Sequence, residues 1–322
     1  MTATMSATTT SGDTRREHYL AAERALWAQH GLDPVERFVE VAEPATRIRI
    51  LESGPAAGRP VLFIPGIGGT GPYWAPLVKE LPSVRALIMD RPGWGLSSPI
   101  DYRGQDFGRT VTSILNGVLD ALGFTEVDIV GASIGGLWAL RFAQHAPERV
   151  GRVVLVGGGP FADIAIPTFV KLLASPAGAA IVRLPFSPDR ARTQLGAIGH
   201  GPSLAAGRMD GFVDWRVAFT RDTKSMHHER AMVRAYLGRG GWRPGFIPTG
   251  AEIDAIGHPV RMLFGSADPS GTLDAWRQLV GRLPNGDLQV LEGAGHMPWW
   301  DDPASVGRSV REFLSGSTTA SR

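Results

Sequence analysis

The stretch Val127-Asp128-Ile129-Val130-Gly131-Ala132-Ser133-Ile134-Gly135 passes from a short apolar run straight into the helix-like Gly136-Leu137-Trp138-Ala139-Leu140-Arg141-Phe142-Ala143, with one serine at the junction. A backbone can turn this sharply only where few side chains crowd the bend, and Gly131 and Gly135 supply that room. The pattern commits this part of the chain to a strand-turn-helix unit of an α/β sheet. It lifts the Ser133 hydroxyl above the end of the strand and sets it at a helix N-terminus, where the Ile134 amide faces the same space. Ser133 is thus a candidate nucleophile, and the Ile134 amide a candidate donor to an oxyanion. Five residues alone also match ordinary Gly/Ser turns, so the rest of the chain has to supply the partners.

An attacking serine needs an imidazole to take its proton and a carboxylate to fix the imidazole's tautomer. Residues 260–264 read as a compact strand running into Gly265-Ser266-Ala267-Asp268-Pro269, which puts Asp268 on the loop at its end. Residues 288–291 read as the next strand, and Glu292-Gly293-Ala294-Gly295-His296-Met297-Pro298 puts His296 on the following loop. The C-terminal ends of parallel strands share one edge, so Ser133, Asp268 and His296 are expected to converge there. Asp268 also precedes a helical stretch at 272–282, and capping it is the plain alternative role. Asp163, past the strand-like run 152–156, is a rival carboxylate that ranks second because it lies well beyond its strand's end.

With these residues in place, the chain resembles the α/β-hydrolase superfamily from about residue 37 to residue 314. Pro60-Val61-Leu62-Phe63-Ile64-Pro65-Gly66-Ile67-Gly68-Gly69 looks like the family's oxyanion loop, and Asp90-Arg91-Pro92-Gly93-Trp94-Gly95-Leu96-Ser97 looks like its D-x-x-G-x-G-x-S turn. Gly295-His296-Met297-Pro298-Trp299-Trp300-Asp301-Asp302-Pro303 looks like its histidine loop. The resemblance implies a Ser133, Asp268, His296 triad, with the backbone amides of Ile67 and Ile134 forming the oxyanion hole. Many members carry His-Gly where this chain has Pro65-Gly66, so the hydrogen bonds that shape the loop are expected to differ. Epoxide hydrolases and haloalkane dehalogenases of the family place Asp at the elbow; serine argues against both and leaves acyl chemistry.

Strand-like runs at 37–41, 46–51, 61–64, 84–89, 127–130, 153–156, 260–264 and 288–291 alternate, after an initial hairpin, with helical stretches such as 108–122, 133–145 and 306–314. This predicts an α/β fold built on a mostly parallel, eight-stranded, doubly wound sheet with an antiparallel edge. Between 157 and 257 the alternation stops, leaving helical pieces at 167–173, 188–198 and 212–237 and no convincing strand. A helical cap inserted after strand six is expected over the triad edge. The expected organisation is a disordered N-terminus (1–12), a core (13–160 and 256–314, opening with a helix at 13–30), the cap (161–255) and a disordered tail (315–322).

A net charge of +2 with signs interspersed carries no nucleic-acid footprint. The absence of cysteine removes disulfides, thiolate catalysis and cysteine metal sites. No run reaches the roughly 18 apolar residues of a membrane span. The N-terminus has no apolar segment of the secretory kind, so a cytoplasmic protein is expected. Neighbouring residues on a helix diverge too far for His227-His228-Glu229 to chelate one ion, and the glycines at 66–71 lack the P-loop Lys-Ser/Thr, so neither a metal nor a cofactor is expected.

Trp74 and Trp299 are candidate walls of a substrate pocket, with Phe161 and Trp215 opposite; plain burial of large aromatics is the competing explanation. The expected activity is a serine hydrolase acting on a small apolar carboxylic ester, lactone or thioester, as a monomer or homodimer. Its alternatives are carbon–carbon bond hydrolysis of a vinylogous diketone, or a ligand-binding or biosynthetic cyclase member of the same fold.

Overall fold

In the computed structural model, which describes residues 11–161 and 164–316, all eight strand-like runs become strands of one sheet. These are β1 (Val35–Val41), β2 (Thr46–Ser53), β3 (Arg59–Ile64), β4 (Val84–Met89), β5 (Val127–Ala132), β6 (Val150–Val156), β9 (Val260–Gly265) and β10 (Gly286–Leu291). Their order is β1-β2-β4-β3-β5-β6-β9-β10. β2 pairs antiparallel with β1 and with β4, while every other pairing is parallel, so β2 alone runs against the rest.

The central strands are apolar on both faces because both are covered by helices. Leu62 and Ile64 of β3 point into one core with Leu87, Ile129 and Leu155, whereas Val61 and Phe63 point into the other with Ile88, Val130 and Val154. The flanking helices are α1 (Ser11–Gln29), α2 (Ala75–Lys79), α3 (Phe107–Leu122), α4 (Ile134–His145), α12 (Leu273–Arg282), α13 (Pro298–Asp301) and α14 (Pro303–Leu314). α3 shows the local logic: the Asp106 side chain caps its first turn by accepting from the Arg109 amide, and Gly123 ends it in a left-handed conformation.

β3 lies between β4 and β5, so the chain leaves β3 toward one side of the sheet and crosses through α3 to the other. The C-terminal ends of β3 and β5 therefore diverge at a switch point, the place where an open α/β sheet forms a binding crevice.

Between β6 and β9 stand α5 (Thr168–Ala174), α6 (Gly178–Ile181), α7 (Pro188–Leu195), α8 (Gly201–Ala205), α9 (Asp210–Asp222), α10 (Ser225–Tyr236) and α11 (Gly250–Asp254). Three details differ from expectation. The piece at 212–237 is two helices, because the Thr223 hydroxyl bonds the Phe219 carbonyl and accepts from the Ser225 amide, giving the backbone a local alternative to continuing. The piece at 188–198 stops at Leu195 and gives way to a wide turn, Gly196–His200, in which Gly199 has φ of +95°. A short hairpin, β7 (Leu237–Gly238) with β8 (Gly241–Trp242), closes around glycines where no strand was expected.

At the ends, α1 already includes Ser11 and Gly12, and Ser315 is the C-cap of α14; residues 1–10, the rival Asp163 and residues 317–322 lie outside the described residues. α1 is tied to the sheet by a buried network in which Arg49 donates to both Glu23 and Asp90, and Tyr19 donates to Glu23. Burial pushes the Asp90 carboxyl up to about 6. Among the described residues no helix is long and apolar enough to cross a membrane.

Candidate active site

Ser133 follows β5 and precedes α4 with φ of +51°, the only positive value at a non-glycine among the described residues. Such a backbone is strained, and it persists because its surroundings admit nothing else. A β-carbon at Gly131 would lie 2.5 Å from the Gly135 carbonyl oxygen, and one at Gly135 would run into the carbonyl of Ile64. Packing of β5, β3 and α4 thus demands both glycines and holds the partly exposed Ser133 at the head of the helix.

Asp268 and His296 meet as the strand order implies. Asp268 Oδ2 lies 2.9 Å from His296 Nδ1 and also accepts from the Gly158 amide at 2.9 Å. Oδ1 accepts from the amide (2.9 Å) and the hydroxyl (2.6 Å) of Ser270. Burial alone would raise this carboxyl, but the facing His296 and these donors hold it down at about 2. Burial by itself would lower His296; the Asp268 anion outweighs it and raises the imidazole above its ordinary value. The carboxylate side chain is sealed from solvent and the imidazole is partly open, so the dyad is anchored at its closed end and presents Nε2 at the other.

Three glycines after β6 let these groups approach one another. A β-carbon at Gly157 would strike the His296 carbonyl, one at Gly158 the Ser270 hydroxyl, and one at Gly159 would lie 2.7 Å from the Ser133 carbonyl oxygen. Ser133, Asp268 with its partner Ser270, and His296 therefore gather around Gly157-Gly158-Gly159. The run was visible in the sequence, but its meaning depends on three contacts that lie far away along the chain.

The loop after β3 borders the same space. A β-carbon at Gly66 would sit 3.1 Å from the Ser133 β-carbon and 3.4 Å from the Tyr73 hydroxyl. Neither the Ile67 nor the Ile134 amide donates to a backbone acceptor among the described residues, so both N–H groups stay available beside Ser133. Arg91, fully buried, donates from Nε to the Pro65 carbonyl (3.0 Å) and from Nη2 to the Gly66 carbonyl (3.2 Å) and to Glu229 (3.2 Å) on α10. Arg216 on α9 donates to the Gly68 carbonyl, and burial lowers its guanidinium to about 10. The sequence offered no local signal for Arg91, Arg216, Ser270 or Tyr73, since each acts through residues distant along the chain or through a loop conformation.

Among the four aromatic candidates, Trp74 and Trp299 stack at 4.7 Å between ring centroids, both fully buried, and the Trp299 N–H is satisfied by the Tyr73 carbonyl. Trp215 is fully buried against Phe212 and Phe219. The Phe161 ring borders Gly159, 3.0 Å from where a β-carbon there would be, and the same β-carbon would lie 2.7 Å from the Ser133 carbonyl oxygen.

The sequence profile described as alpha/beta hydrolase fold matches residues 59–303. The chain is 30% identical over 293 residues to the 2-hydroxy-6-oxononadienedioate/2-hydroxy-6-oxononatrienedioate hydrolase of Cupriavidus pinatubonensis, a match covering 86% of this chain and 94% of that protein. A 2-hydroxy-6-oxo-6-phenylhexa-2,4-dienoate hydrolase from Rhodococcus sp. strain RHA1 superposes with a TM-score of 0.73 at 21% identity, over 88% of this chain and 99% of its own. A carboxylesterase from Bacillus subtilis superposes with a TM-score of 0.70 at 18% identity, over 95% and 100%. At these identities the likeness to the two solved structures shows the fold alone.

Proposed function

The chain belongs to the alpha/beta hydrolase family, and from that premise we propose that it hydrolyses a carbon–carbon bond next to a ketone, in a carboxylate-bearing substrate of the vinylogous diketone class. The compound named for the Cupriavidus relative carries a ketone at C6 and neither ester nor amide, so a hydrolase acting on it has a carbon–carbon bond to open. That likeness moves the simple ester from first reading to second.

The observation in the molecule that carries the choice is Arg216. Its guanidinium lies on the loop carbonyl of Gly68, partly buried, and among the described residues no carboxylate is paired with it. A desolvated cation on the loop that borders Ser133 favours a substrate that brings the missing anion, and a neutral ester brings none.

In the keto form of such a substrate, carbonyls at C2 and C6 are joined through the C3–C4 double bond. His296 takes the proton of Ser133, and Ser133 Oγ bonds to C6 while the amides of Ile67 and Ile134 receive the oxyanion. As the carbonyl re-forms, the C5–C6 bond breaks, its electron pair passes into the conjugated system ending at the C2 oxygen, and the imidazolium returns its proton to that fragment. Water, deprotonated by His296, then opens the acyl ester on Ser133 and releases a carboxylic acid. Residues 161–255 act in this reading as a cap: Arg216 reaches Gly68, and the His228 side chain packs against Gly93.

Hydrolysis of an ester, lactone or thioester runs through the same residues, and the Phe161 ring beside Ser133 favours it as the second reading by offering an apolar acyl surface. The test offers the protein a ring-fission dienoate and aryl esters of graded chain length. The first reading expects kcat/KM for the dienoate to exceed that for the esters by on the order of a hundredfold. Turnover of the esters with none of the dienoate would return the function to the second.

A further inference from the structure

Three consecutive amides fix the backbone that carries His296. The Gly295 amide donates to Asp301 Oδ2 (2.8 Å), the His296 amide to the Ile198 carbonyl (2.9 Å) and the Met297 amide to His200 Nε2 (3.1 Å). Only the first acceptor belongs to the same part of the chain. The other two come from the turn Gly196–His200, nearly a hundred residues earlier, between α7 and α8.

His200 is fully buried, and its Nδ1 lies 2.9 Å from Asp301 Oδ2. Because Nε2 accepts from an amide, the ring proton sits on Nδ1 and is donated to Asp301; the two partners set the tautomer. The other Asp301 oxygen accepts from the Ser203 hydroxyl, which in turn accepts from Arg208 at 2.9 Å. The backbones touch as well. A β-carbon at Gly199 would lie 2.7 Å from the Gly295 α-carbon and 2.5 Å from the Ala267 carbonyl oxygen, and one at Gly295 would lie 2.9 Å from His200 Cε1. One turn between β6 and β9 therefore rests on the loop of Asp268 and the loop of His296 together.

We propose that His200 is a positioning residue for the catalytic base: held by Asp301, its ring clamps the Met297 amide and keeps His296 in line with Asp268. The proton relay is then complete only while the Gly196–His200 turn is docked, so the insertion assembles the site as well as covering it. This rests on His296 being the base, as read above. A displacement of about 1 Å in a reacting group costs on the order of a hundredfold in rate, so a small slackening of this loop is readable.

The test measures, across about pH 5 to 9, the rate at which a fluorophosphonate labels Ser133 and the kcat and KM for an aryl ester. His200→Ala is expected to lower the labelling rate and kcat by about 10- to 100-fold with little change in KM. It is also expected to shift the acid limb to lower pH, because a loosened His296 loses part of the Asp268 contact that raises it. His200→Gln, which offers a carbonyl to Met297 and an N–H to Asp301, is expected to restore most of the rate and the limb. If His200→Ala is not recovered folded, Asp301→Asn, which keeps the volume but weakens the hold on Nδ1, is read the same way. Wild-type rates and an unmoved limb in the variant would overturn the inference, as would equal losses in the Ala and Gln variants. A wild-type protein left unlabelled at Ser133 would instead overturn the reading of the site itself.

Discussion

Arg91 and Glu229 meet at 3.2 Å with both side chains withdrawn from solvent, one on the loop after β4 and the other on α10. The same guanidinium donates to the carbonyls of Pro65 and Gly66, and so fixes the peptide that carries the next amide, that of Ile67. An arginine thus braces the loop Pro65-Gly66 from behind, and it is itself held by Glu229 of the helical insertion.

Arg91→Met is expected to remove the clamp on the loop and to strand Glu229, whose carboxyl burial already pushes upward. Breaking one side of a buried pair costs about 3–5 kcal/mol, which urea denaturation would read. Adding Glu229→Gln should recover part of that stability but not the lost turnover, since the loop carbonyls stay unheld. A double variant no more stable than the single would show that the pair is not coupled.

The Asp268 anion raises His296 above its ordinary 6.5, and the base works only when neutral. Activity should therefore rise with pH through a midpoint above about 6.5. Asp268→Asn removes the charge, so that midpoint should move down while kcat falls by about 10⁴-fold. A pH–rate profile whose acid limb stays in place would mean that Asp268 does not face the working base.

Arg216→Met should raise KM for a carboxylate-bearing substrate by about 10- to 100-fold, the worth of a hydrogen bond to a charged group, and leave KM for a neutral ester nearly unchanged. Equal effects on both substrates would assign Arg216 to holding the Gly68 carbonyl alone.

Gly157→Ala would set a methyl against the His296 carbonyl at a position with φ of +70°. A loss of about 2–4 kcal/mol in stability is expected, together with most of the activity. A variant with the wild-type melting temperature would contradict the packing described around the three glycines.

The strands, the elbow and both partner loops were legible because each is a local signal: apolar runs bounded by glycine, and a serine, an aspartate and a histidine just beyond strand ends. Their convergence follows from parallel topology. What the sequence could not display is contact between distant segments: Arg91 with Glu229, Arg216 with Gly68, and His200 with Met297 are each separated by roughly a hundred residues or more. The break between α9 and α10 has no glycine or proline to mark it, because a threonine hydroxyl makes it. The tryptophans show the limit of composition, for Trp74 and Trp299 neighbour the motif loops yet stack on each other out of solvent, a distinction that only packing reveals.

The most direct measurement is the turnover of Ser133→Ala beside the wild type, on whichever of the dienoate or aryl esters the wild type consumes. Because the nucleophile, base and acid act as a unit, the predicted loss is on the order of a millionfold in kcat, with a residue of about a thousandfold over the uncatalysed rate from the oxyanion donors and binding. A Ser133→Ala protein that folds as the wild type does and keeps most of its activity would contradict the account.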